Sequence, residues 1–417
     1  MDEVKEDALD RICGTAEKVS ACQWRCGICK ESFPSADAAK QHARTRHTSS
    51  GSQLVSVSAI TWDRDAQGLF DREDTGNHHK QGLVMPVQPR CGPLSFLRQG
   101  NEIKLATGAG LPEASSPMHT QLNWCSSGAV VERTPTAARQ TASKSMWLPV
   151  TAKGHVLQTK NLLKLGRYMV SVRQIVLSGP RQVPNFSSVK DVGTAPVAFA
   201  QDASDNTCRI CLDSGDSEDE GPMIAAPCLC KGGMQYIHLG CLRHWLGSKY
   251  SVLDRMSPPV EGAAAYSFKP PACDICKTEF PAVIPQPGTE ESVTLLPNLP
   301  LVEPPFIVLS LPRSTDKERP HGERCVFKPC ESGGLLRIGR SHDSGLQLLD
   351  VSVSRLHATV RFDGSNFILQ NNEARFGTSV MPRGPSLLPT SVQEEPLSIQ
   401  AGRTMLRLAM EPMVPIE

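Results

Sequence analysis

Hydrophobic and polar positions alternate along this chain only in short runs. The clearest alternation is YMVSVRQIV at 168–176, and further runs follow residue 305 at FIVLSL, LLRIGR, LHATVRF, FILQ and MLRLAM. Alternation with a period of two predicts half-buried strands, and several such runs separated by turn residues predict an all-β sandwich. We therefore expect a β-sandwich over 305–412 and a β-rich segment over 146–180.

The pattern is weaker between these regions. Residues 51–145 carry short apolar islands among Gly, Pro, Ser and Thr, so we expect a largely flexible or weakly ordered segment. Residues 281–304 are rich in proline and predict a linker. Cysteine and histidine residues concentrate in two compact units, one at 20–50 and one at 205–280. The chain is therefore expected to be multidomain.

Composition excludes several classes of protein. The chain has 44 basic and 43 acidic residues among 417, so no overall field directs it to nucleic acid or to an anionic membrane. The acidic start MDEVKEDALD does not look like a secretory signal, and no run approaches the ~18 apolar residues of a spanning helix. We expect a soluble cytoplasmic or nuclear protein without membrane contact. In that reducing environment, clusters among the 15 cysteines indicate metal ligands rather than disulfides.

The first unit has the ligand spacing of a Cys2His2 zinc finger. Phe33 supplies the aromatic residue of a small core, and a helix-forming segment carries both histidines. A unit this small needs zinc for its folding free energy. Ala39 stands where the resembling fingers usually have leucine. The expected ligands are Cys26, Cys29, His42 and His47.

The role of this finger stays open between a structural or protein-binding module and a nucleic-acid contact. The second reading depends on Lys40, Arg44 and Arg46. One finger reads about three base pairs, and no basic neighbour extends this one. Nucleic acid is therefore not the favoured partner.

The second unit resembles the RING-CH zinc finger, a RING variant with seven cysteines and one histidine. The likeness rests on CxC followed by HxxC, on Lys231-Gly232-Gly233, on Leu242 and Trp245, and on the ending CDICKTEF. Eight ligands make two tetrahedral sites, which gives about three zinc ions for the chain. The resemblance implies an interleaved pairing: Cys208, Cys211, His238 and Cys241 in one site, and Cys228, Cys230, Cys273 and Cys276 in the other.

RING-type domains hold a ubiquitin-charged conjugating enzyme and contribute no nucleophile of their own. By the resemblance, Ile210 and Trp245 would contact that enzyme, and Lys277 would donate to ubiquitin. Trp245 could instead be a core residue. Many RING-CH relatives continue into transmembrane helices, which this chain lacks, so the expectation covers the ligase activity and not a membrane location.

The C-terminal region resembles a forkhead-associated (FHA) domain, a β-sandwich that binds phosphothreonine peptides. The likeness rests on Gly339-Arg340, Ser354-Arg355-Leu356-His357 and Gly377-Thr378. It implies phosphate contacts from Arg340 and Ser354, with Arg355 beside them. His357 would brace the loop. Phe376 replaces the asparagine of the family's Asn-Gly-Thr.

Two segments of the chain echo each other. LKLGRYMVSVRQI (163–175) and IQAGRTMLRLAM (399–410) share Gly-Arg-x-Met, after which apolar and other residues alternate. The second copy would close the FHA sandwich. The first would end a degenerate FHA-like sandwich between 55 and 180, unless the likeness is chance.

These parts together predict small zinc-stabilised α+β modules and an all-β FHA sandwich, joined by flexible linkers. The leading functional reading is a RING-type ubiquitin ligase that recruits phosphothreonine partners. The alternatives are a non-enzymatic zinc-binding phosphopeptide adaptor and a zinc-finger nucleic-acid regulator.

Overall fold

The fold was obtained as a computed structural model. It describes residues 23–26, 28–47, 53–62, 69–71, 78–87, 93–107, 116–125, 128–133, 146–184, 206–249, 252–254, 263–268, 271–281, 283–285, 292–295, 301–311, 324–329, 334–389 and 395–412.

Strands dominate the described residues, which contain two α-helices. The helices are α1 (Ala36–Arg46) and α2 (Leu239–Lys249), and a 3-10 turn spans Gly232–Gln235. The strands before the second Cys/His unit are β1 (Gln23–Cys26), β2 (Ser32–Phe33), β3 (Gln53–Trp62), β4 (His78–Val87), β5 (Leu94–Gln99), β6 (Glu102–Thr107), β7 (Ser116–Cys125), β8 (Gly128–Arg133), β9 (Met146–Pro149), β10 (His155–Val156), β11 (Leu162–Leu165) and β12 (Tyr168–Val176). The later strands are β13 (Met223–Ala225), β14 (Tyr236–His238), β15 (Val252–Asp254), β16 (Ala263–Phe268), β17 (Val283–Pro285), β18 (Ser292–Thr294), β19 (Phe306–Ser310), β20 (Arg324–Pro329), β21 (Leu335–Gly339), β22 (Leu346–Gln347), β23 (Ala358–Phe362), β24 (Phe367–Asn371), β25 (Thr378–Met381), β26 (Ser386–Leu387), β27 (Leu397–Ala401) and β28 (Thr404–Pro412).

A first sandwich, the N-terminal sandwich, is built from β3–β9 and from the end of the chain. Its two sheets run β4-β3-β28-β27-β9 and β6-β5-β7-β8-β26. β28 pairs with β3 over its whole length, from Thr404 opposite Thr61 to Pro412 opposite Gln53. Apolar side chains from both parts of the chain share one buried core, including Val57, Phe96, Leu122, Ile399 and Leu408.

A second sandwich, the C-terminal sandwich, contains the region that resembles an FHA domain. Its two sheets contain the strands in the orders β20-β19-β12-β11-β25 and β22-β21-β23-β24-β10. β12 pairs with β19, and β11 pairs with β25. Residues from 150–172 therefore lie in the same buried core as residues from 307–380, including Leu163, Val170, Leu309, Ile338 and Val360.

The two sandwiches have the same strand order and have exchanged their closing strands. When β3–β9 are matched one by one to β19–β25, the corresponding strands follow the same order in both sheets of the two sandwiches. The closing strands β10–β12 lie in the C-terminal sandwich, although they follow the N-terminal one in the chain. The closing strands β26–β28 lie in the N-terminal sandwich.

This exchange corrects the predicted roles of the two echoed segments. We expected the copy at 399–410 to close the FHA sandwich and the copy at 163–175 to close the earlier one. Each closes the other sandwich instead. Alternation shows which residues face a core but not which core, because both hairpins present the same pattern.

Two further expectations differ from the structure. Six strands, β3–β8, lie within the segment 51–145 that we expected to be largely flexible or weakly ordered. Within the expected linker 281–304, β17 pairs with β18, and Ile284 and Leu295 are buried in the core of the second Cys/His unit. Both segments also have distant partners, because β3 and β8 pair with strands near the end of the chain and Ile284 and Leu295 pack in the zinc-bearing unit, and a local reading of Gly and Pro content does not detect these contacts.

The second Cys/His unit is attached to the C-terminal sandwich by an inserted hairpin. β15 and β16 lie between α2 and the last cysteine pair, and β16 extends the sheet by pairing with β20. Ala265 of β16 is fully buried in the sandwich core. Added sheet pairing of this kind satisfies an exposed strand edge.

Candidate zinc centres and phosphopeptide site

The four predicted ligands of the N-terminal finger lie together. The ligand atoms of Cys26, Cys29, His42 and His47 are all within 4.8 Å of one another. His42 Nε2 is 3.2 Å from both Cys29 Sγ and His47 Nε2. The other ring nitrogen of His42 lies 3.6 Å from a carboxylate oxygen of Glu31, a partner that can orient a ligating imidazole. Sulfur and imidazole donors in a four-membered set fit tetrahedral zinc.

The finger does not stand apart from the N-terminal sandwich. β1 pairs in parallel with β4, so that Cys26 lies opposite Val84. Trp24 covers Gly82 so closely that a Cβ at residue 82 would lie 2.2 Å from the indole ring. Ala39 and Ala43 of α1 are fully buried in a cluster with Leu54 and Val84.

This packing explains the small residue at position 39. Alanine allows the helix backbone to approach the sheet, where a leucine would hold it away. The same packing half-buries Lys40 and Arg44 and leaves Arg46 exposed. Two of the three basic residues behind the nucleic-acid reading are thus committed to the fold.

The first cluster of the second unit contains Cys208, Cys211, His238 and Cys241. His238 is fully buried, with Nδ1 3.2 Å from Cys211 Sγ. Its Nε2 lies 2.7 Å from the carbonyl oxygen of Gly215, which selects the tautomer that leaves Nδ1 free to ligate. Burial raises the pKa of Cys208, but backbone N–H groups of His238, Cys211 and Ile210 outweigh it and lower that pKa to about 7.

The second cluster contains Cys228, Cys230, Cys273 and Cys276. Cys230 Sγ and Cys273 Sγ are 3.6 Å apart. Burial raises the pKa of Cys228 to about 12, whereas hydrogen bonds from Thr278 overcome burial and lower the pKa of Cys276 to about 6. The structure thus brings the eight ligands together in the interleaved arrangement that the resemblance implies. All three Cys/His clusters among the residues that the structure describes are able to bind zinc.

The predicted enzyme-contact residues lie beside these clusters. Ile210, between the first two cysteines, is 42% exposed. Trp245 on α2 is half-buried: its ring contacts Phe280 edge-on and lies 5.8 Å from Lys249 Nζ. Trp245 thus takes part in the core and also remains accessible. Lys277 is exposed immediately after the last ligand.

Sequence reasoning missed Ile275, which is one of several exposed apolar residues of this unit beside Leu212, Leu229 and Met234. Ile275 lies between the last two cysteines and is 53% exposed. Its position in the second zinc loop matches that of Ile210 in the first, since each falls inside a CxxC pair. That symmetry was the available signal.

The predicted phosphate residues lie at one end of the C-terminal sandwich. Arg340 and Arg355 are exposed, and Ser354 is half-buried. The backbone N–H of Arg340 donates to the carbonyl oxygen of Ser354 at 3.0 Å, and Arg340 Nε donates to the carbonyl of Val353 at 3.3 Å. The three residues therefore share two adjacent loops.

His357 and Phe376 lie near these loops and make different contacts. His357 is fully buried; Nδ1 accepts from the N–H of Ser354 at 3.0 Å, and Nε2 lies 3.1 Å from the carbonyl oxygen of Gly377. It links the loop of Ser354 to the turn at Gly377 from inside the fold, as a brace does. Phe376 is half-buried under the guanidinium of Arg375, 5.4 Å from its ring centre.

Arg375 is a second residue that sequence reasoning missed. Its backbone N–H donates to Ser354 Oγ at 3.4 Å, which places its exposed side chain beside the predicted phosphate site. Its guanidinium makes two hydrogen bonds, of 2.6 and 2.9 Å, to one carboxylate oxygen of Asp71. Asp71 belongs to the other sandwich, 304 residues away, so no local motif indicates this contact.

Family models identify two domains in the chain. A model described as RING-variant domain matches residues 208–276, and an FHA domain model matches residues 336–399. The chain therefore contains a RING-variant domain and an FHA domain. The closing strands β10–β12 of the C-terminal sandwich lie outside the matched FHA residues.

The curated relatives are E3 ubiquitin-protein ligases. MARCHF8 of Homo sapiens is 28% identical over 123 residues, which are 30% of this chain and 34% of that protein. MARCHF8 of Xenopus tropicalis is 30% identical over 94 residues, 22% of this chain and 27% of the relative. The ERAD-associated ligase DOA10 of Saccharomyces cerevisiae is 33% identical over 84 residues, 20% of this chain and 5% of the relative. The chain thus spans about a third or less of the length of these relatives, and no solved structure matches it.

The relatives contradict the expected location. We expected a soluble cytoplasmic or nuclear protein, but MARCHF8 and DOA10 are membrane-anchored ligases. Composition alone was an insufficient basis for that expectation. Among the residues that the structure describes, no helix is long and apolar enough to cross a membrane.

Proposed function

We propose that the chain is a RING-type E3 ubiquitin ligase that recruits phosphothreonine-bearing partners. Its RING-variant domain docks a ubiquitin-charged conjugating enzyme, and its FHA domain selects the substrate. The observation that carries the proposal is the pair of exposed isoleucines, Ile210 and Ile275, one in each zinc loop of a domain related to those of E3 ligases. Single exposed apolar residues are common on protein surfaces, but isoleucines at matching positions of the two zinc loops supply the apolar contacts of a docking surface, which zinc binding alone does not need.

The zinc ions have a structural part in this proposal. Each cluster supplies four protein ligands and so leaves no open coordination position for a substrate. A substrate lysine attacks the thioester of the conjugating enzyme: the isopeptide bond to ubiquitin forms, the thioester breaks, and the cysteine thiol of that enzyme leaves. The residues of this chain hold that enzyme through Ile210, Ile275 and Trp245, while exposed Lys277 donates a hydrogen bond to ubiquitin.

The FHA domain supplies the phosphate contacts. Arg340 and Ser354 bind the phosphate oxygens and Arg355 flanks them, because hydrogen bonds to a charged phosphate group are among the strong ones. Arg375 adds a further cation beside the phosphate, although its guanidinium is also paired with the carboxylate of Asp71. Phe376 offers an apolar surface where the family has an asparagine.

Autoubiquitination with a panel of conjugating enzymes tests the ligase proposal. We expect chain formation with wild type and its loss in Ile210→Ala, Trp245→Ala, because truncation removes the docking surface. Leu301→Ala is the matched control, since Leu301 is 62% exposed outside the RING-variant domain.

An equal background signal from wild type and the double variant would defeat the ligase proposal. The adaptor reading would then be preferred. Zinc analysis of the double variant separates loss of docking from loss of folding, because a variant that still binds its zinc ions has kept the fold of the domain.

A further inference from the structure

The turn between β11 and β12 lies against the loop that carries the phosphate residues. This turn is Gly166–Arg167, and the loop runs over 350–354. Gly166 has a φ of 59°, and a Cβ there would lie 2.4 Å from the carbonyl oxygen of Ser352. The close approach therefore requires glycine.

Arg167 joins a compact network with this loop. Its backbone N–H donates to Ser352 Oγ at 2.8 Å, and its guanidinium donates to Asp350 Oδ1 at 3.2 Å. The same carboxylate oxygen accepts the N–H of Ser352 at 2.8 Å and the hydroxyl of Ser352 at 2.7 Å. Partial burial raises the pKa of Asp350, but the bonds from Ser352 and Arg167 outweigh it and lower that pKa.

The network is directly adjacent in the chain to the predicted phosphate contacts. Val353 and Ser354 follow Ser352 directly, and their carbonyl oxygens accept the two hydrogen bonds from Arg340. A shift of residues 350–352 would therefore displace both Ser354 and Arg340.

The other closing hairpin provides an internal comparison. Its turn is Gly402–Arg403, with a φ of 58° at Gly402 and no atom within 4 Å of a Cβ built there. Arg403 donates to the carbonyl oxygens of Trp62 and Gly100, both in the N-terminal sandwich. Equivalent turns thus brace different sandwiches, and only Gly166–Arg167 reaches the phosphate loop.

We infer that Gly166 and Arg167 position the phosphate-binding loop of the FHA domain. The phosphopeptide module is accordingly discontinuous: its closing strands and its loop brace precede the RING-variant domain, and its phosphate contacts follow it. This inference rests on the proposed phosphopeptide binding and extends it to residues outside the matched FHA region. Arg167 acts through Asp350 and Ser352, so it is a positioning residue.

The test is retention of the full chain on an immobilised degenerate phosphothreonine peptide library and on its unphosphorylated counterpart. Arg167→Ala should weaken phosphate-dependent retention about three- to tenfold, as expected for a partly exposed charge-assisted bond. Arg167→Lys should restore most of it by keeping the cation. Arg403→Ala and Gly402→Ala should match wild type, and Gly166→Ala should be weaker than Gly402→Ala.

Each outcome decides something different. If Arg340→Ala loses retention and Arg167→Ala does not, this inference is overturned and the proposed function stands. If Arg167→Ala and Arg403→Ala weaken retention equally, the effect is global and the inference is overturned. If wild type does not distinguish the two libraries, phosphopeptide binding and this inference both fail.

Discussion

Ile399 and Leu163 occupy equivalent positions in the two closing hairpins, and truncating each should loosen a different sandwich. Both side chains are fully buried. Ile399 lies in the core of the N-terminal sandwich and Leu163 in that of the C-terminal sandwich. Ile399→Ala and Leu163→Ala therefore form a matched pair with the same chemistry and the same burial.

The expected magnitude follows from burial. Removing a buried branched aliphatic side chain costs roughly 2–5 kcal/mol, and we take about 3 kcal/mol for a fully enclosed site. Where amides exchange by opening of the affected unit, that cost accelerates exchange roughly hundredfold. Ile399→Ala should accelerate exchange in β3, β5 and β8, and Leu163→Ala in β19, β21 and β23.

Hydrogen exchange read by mass spectrometry on the full chain measures this difference. If Ile399→Ala accelerated exchange in β21 and β23 while sparing β3 and β5, the closing strands would not be exchanged. Equal acceleration in both sandwiches would show one cooperative unit and would refute the assignment of each hairpin to a separate core.

Three further predictions test other contacts. Gly82→Val should force Trp24 off β4 and lower stability by roughly 1–3 kcal/mol in thermal unfolding, whereas Gly384→Val, with open space around it, should not. Metal analysis should find about three zinc ions per chain, and Cys29→Ser should remove one; an unchanged count would contradict the finger site. Burial lowers the pKa of Lys164 to about 8, so the unfolded chain binds more protons above pH 8 and stability should rise from pH 8 to about 10.5. Lys164→Met should abolish that rise in stability. If the stability of the variant rose with pH in parallel with that of wild type, Lys164 would not be its cause.

The zinc centres were the most predictable part of the molecule. Their ligands fall in short pairs such as Cys208–Cys211 and His238–Cys241, so local spacing carries most of the information. The interleaving between pairs was implied by family likeness rather than by spacing. The exposure of Ile275 could have been anticipated from its symmetry with Ile210.

The exchange of closing strands could not be predicted in the same way. The contact between Thr61 and Thr404 joins residues 343 positions apart, and the alternating pattern around each fits either sandwich equally well. Asp71 is a similar case, because its role depends on Arg375 of the other sandwich. The segment 51–145 has a weak apolar pattern but contains six strands, of which β3 and β8 pair with strands from the far end of the chain.

The central claim is that one chain joins phosphothreonine recognition to ubiquitin transfer. The most direct measurement is the rate at which a charged conjugating enzyme transfers ubiquitin to a lysine-containing phosphothreonine peptide pool in the presence of the chain. We predict a faster rate for this pool than for its phosphatase-treated counterpart, with the difference lost in Arg340→Ala and all chain-dependent transfer lost in Ile210→Ala, Trp245→Ala. Equal rates for the two pools with wild type would contradict the account.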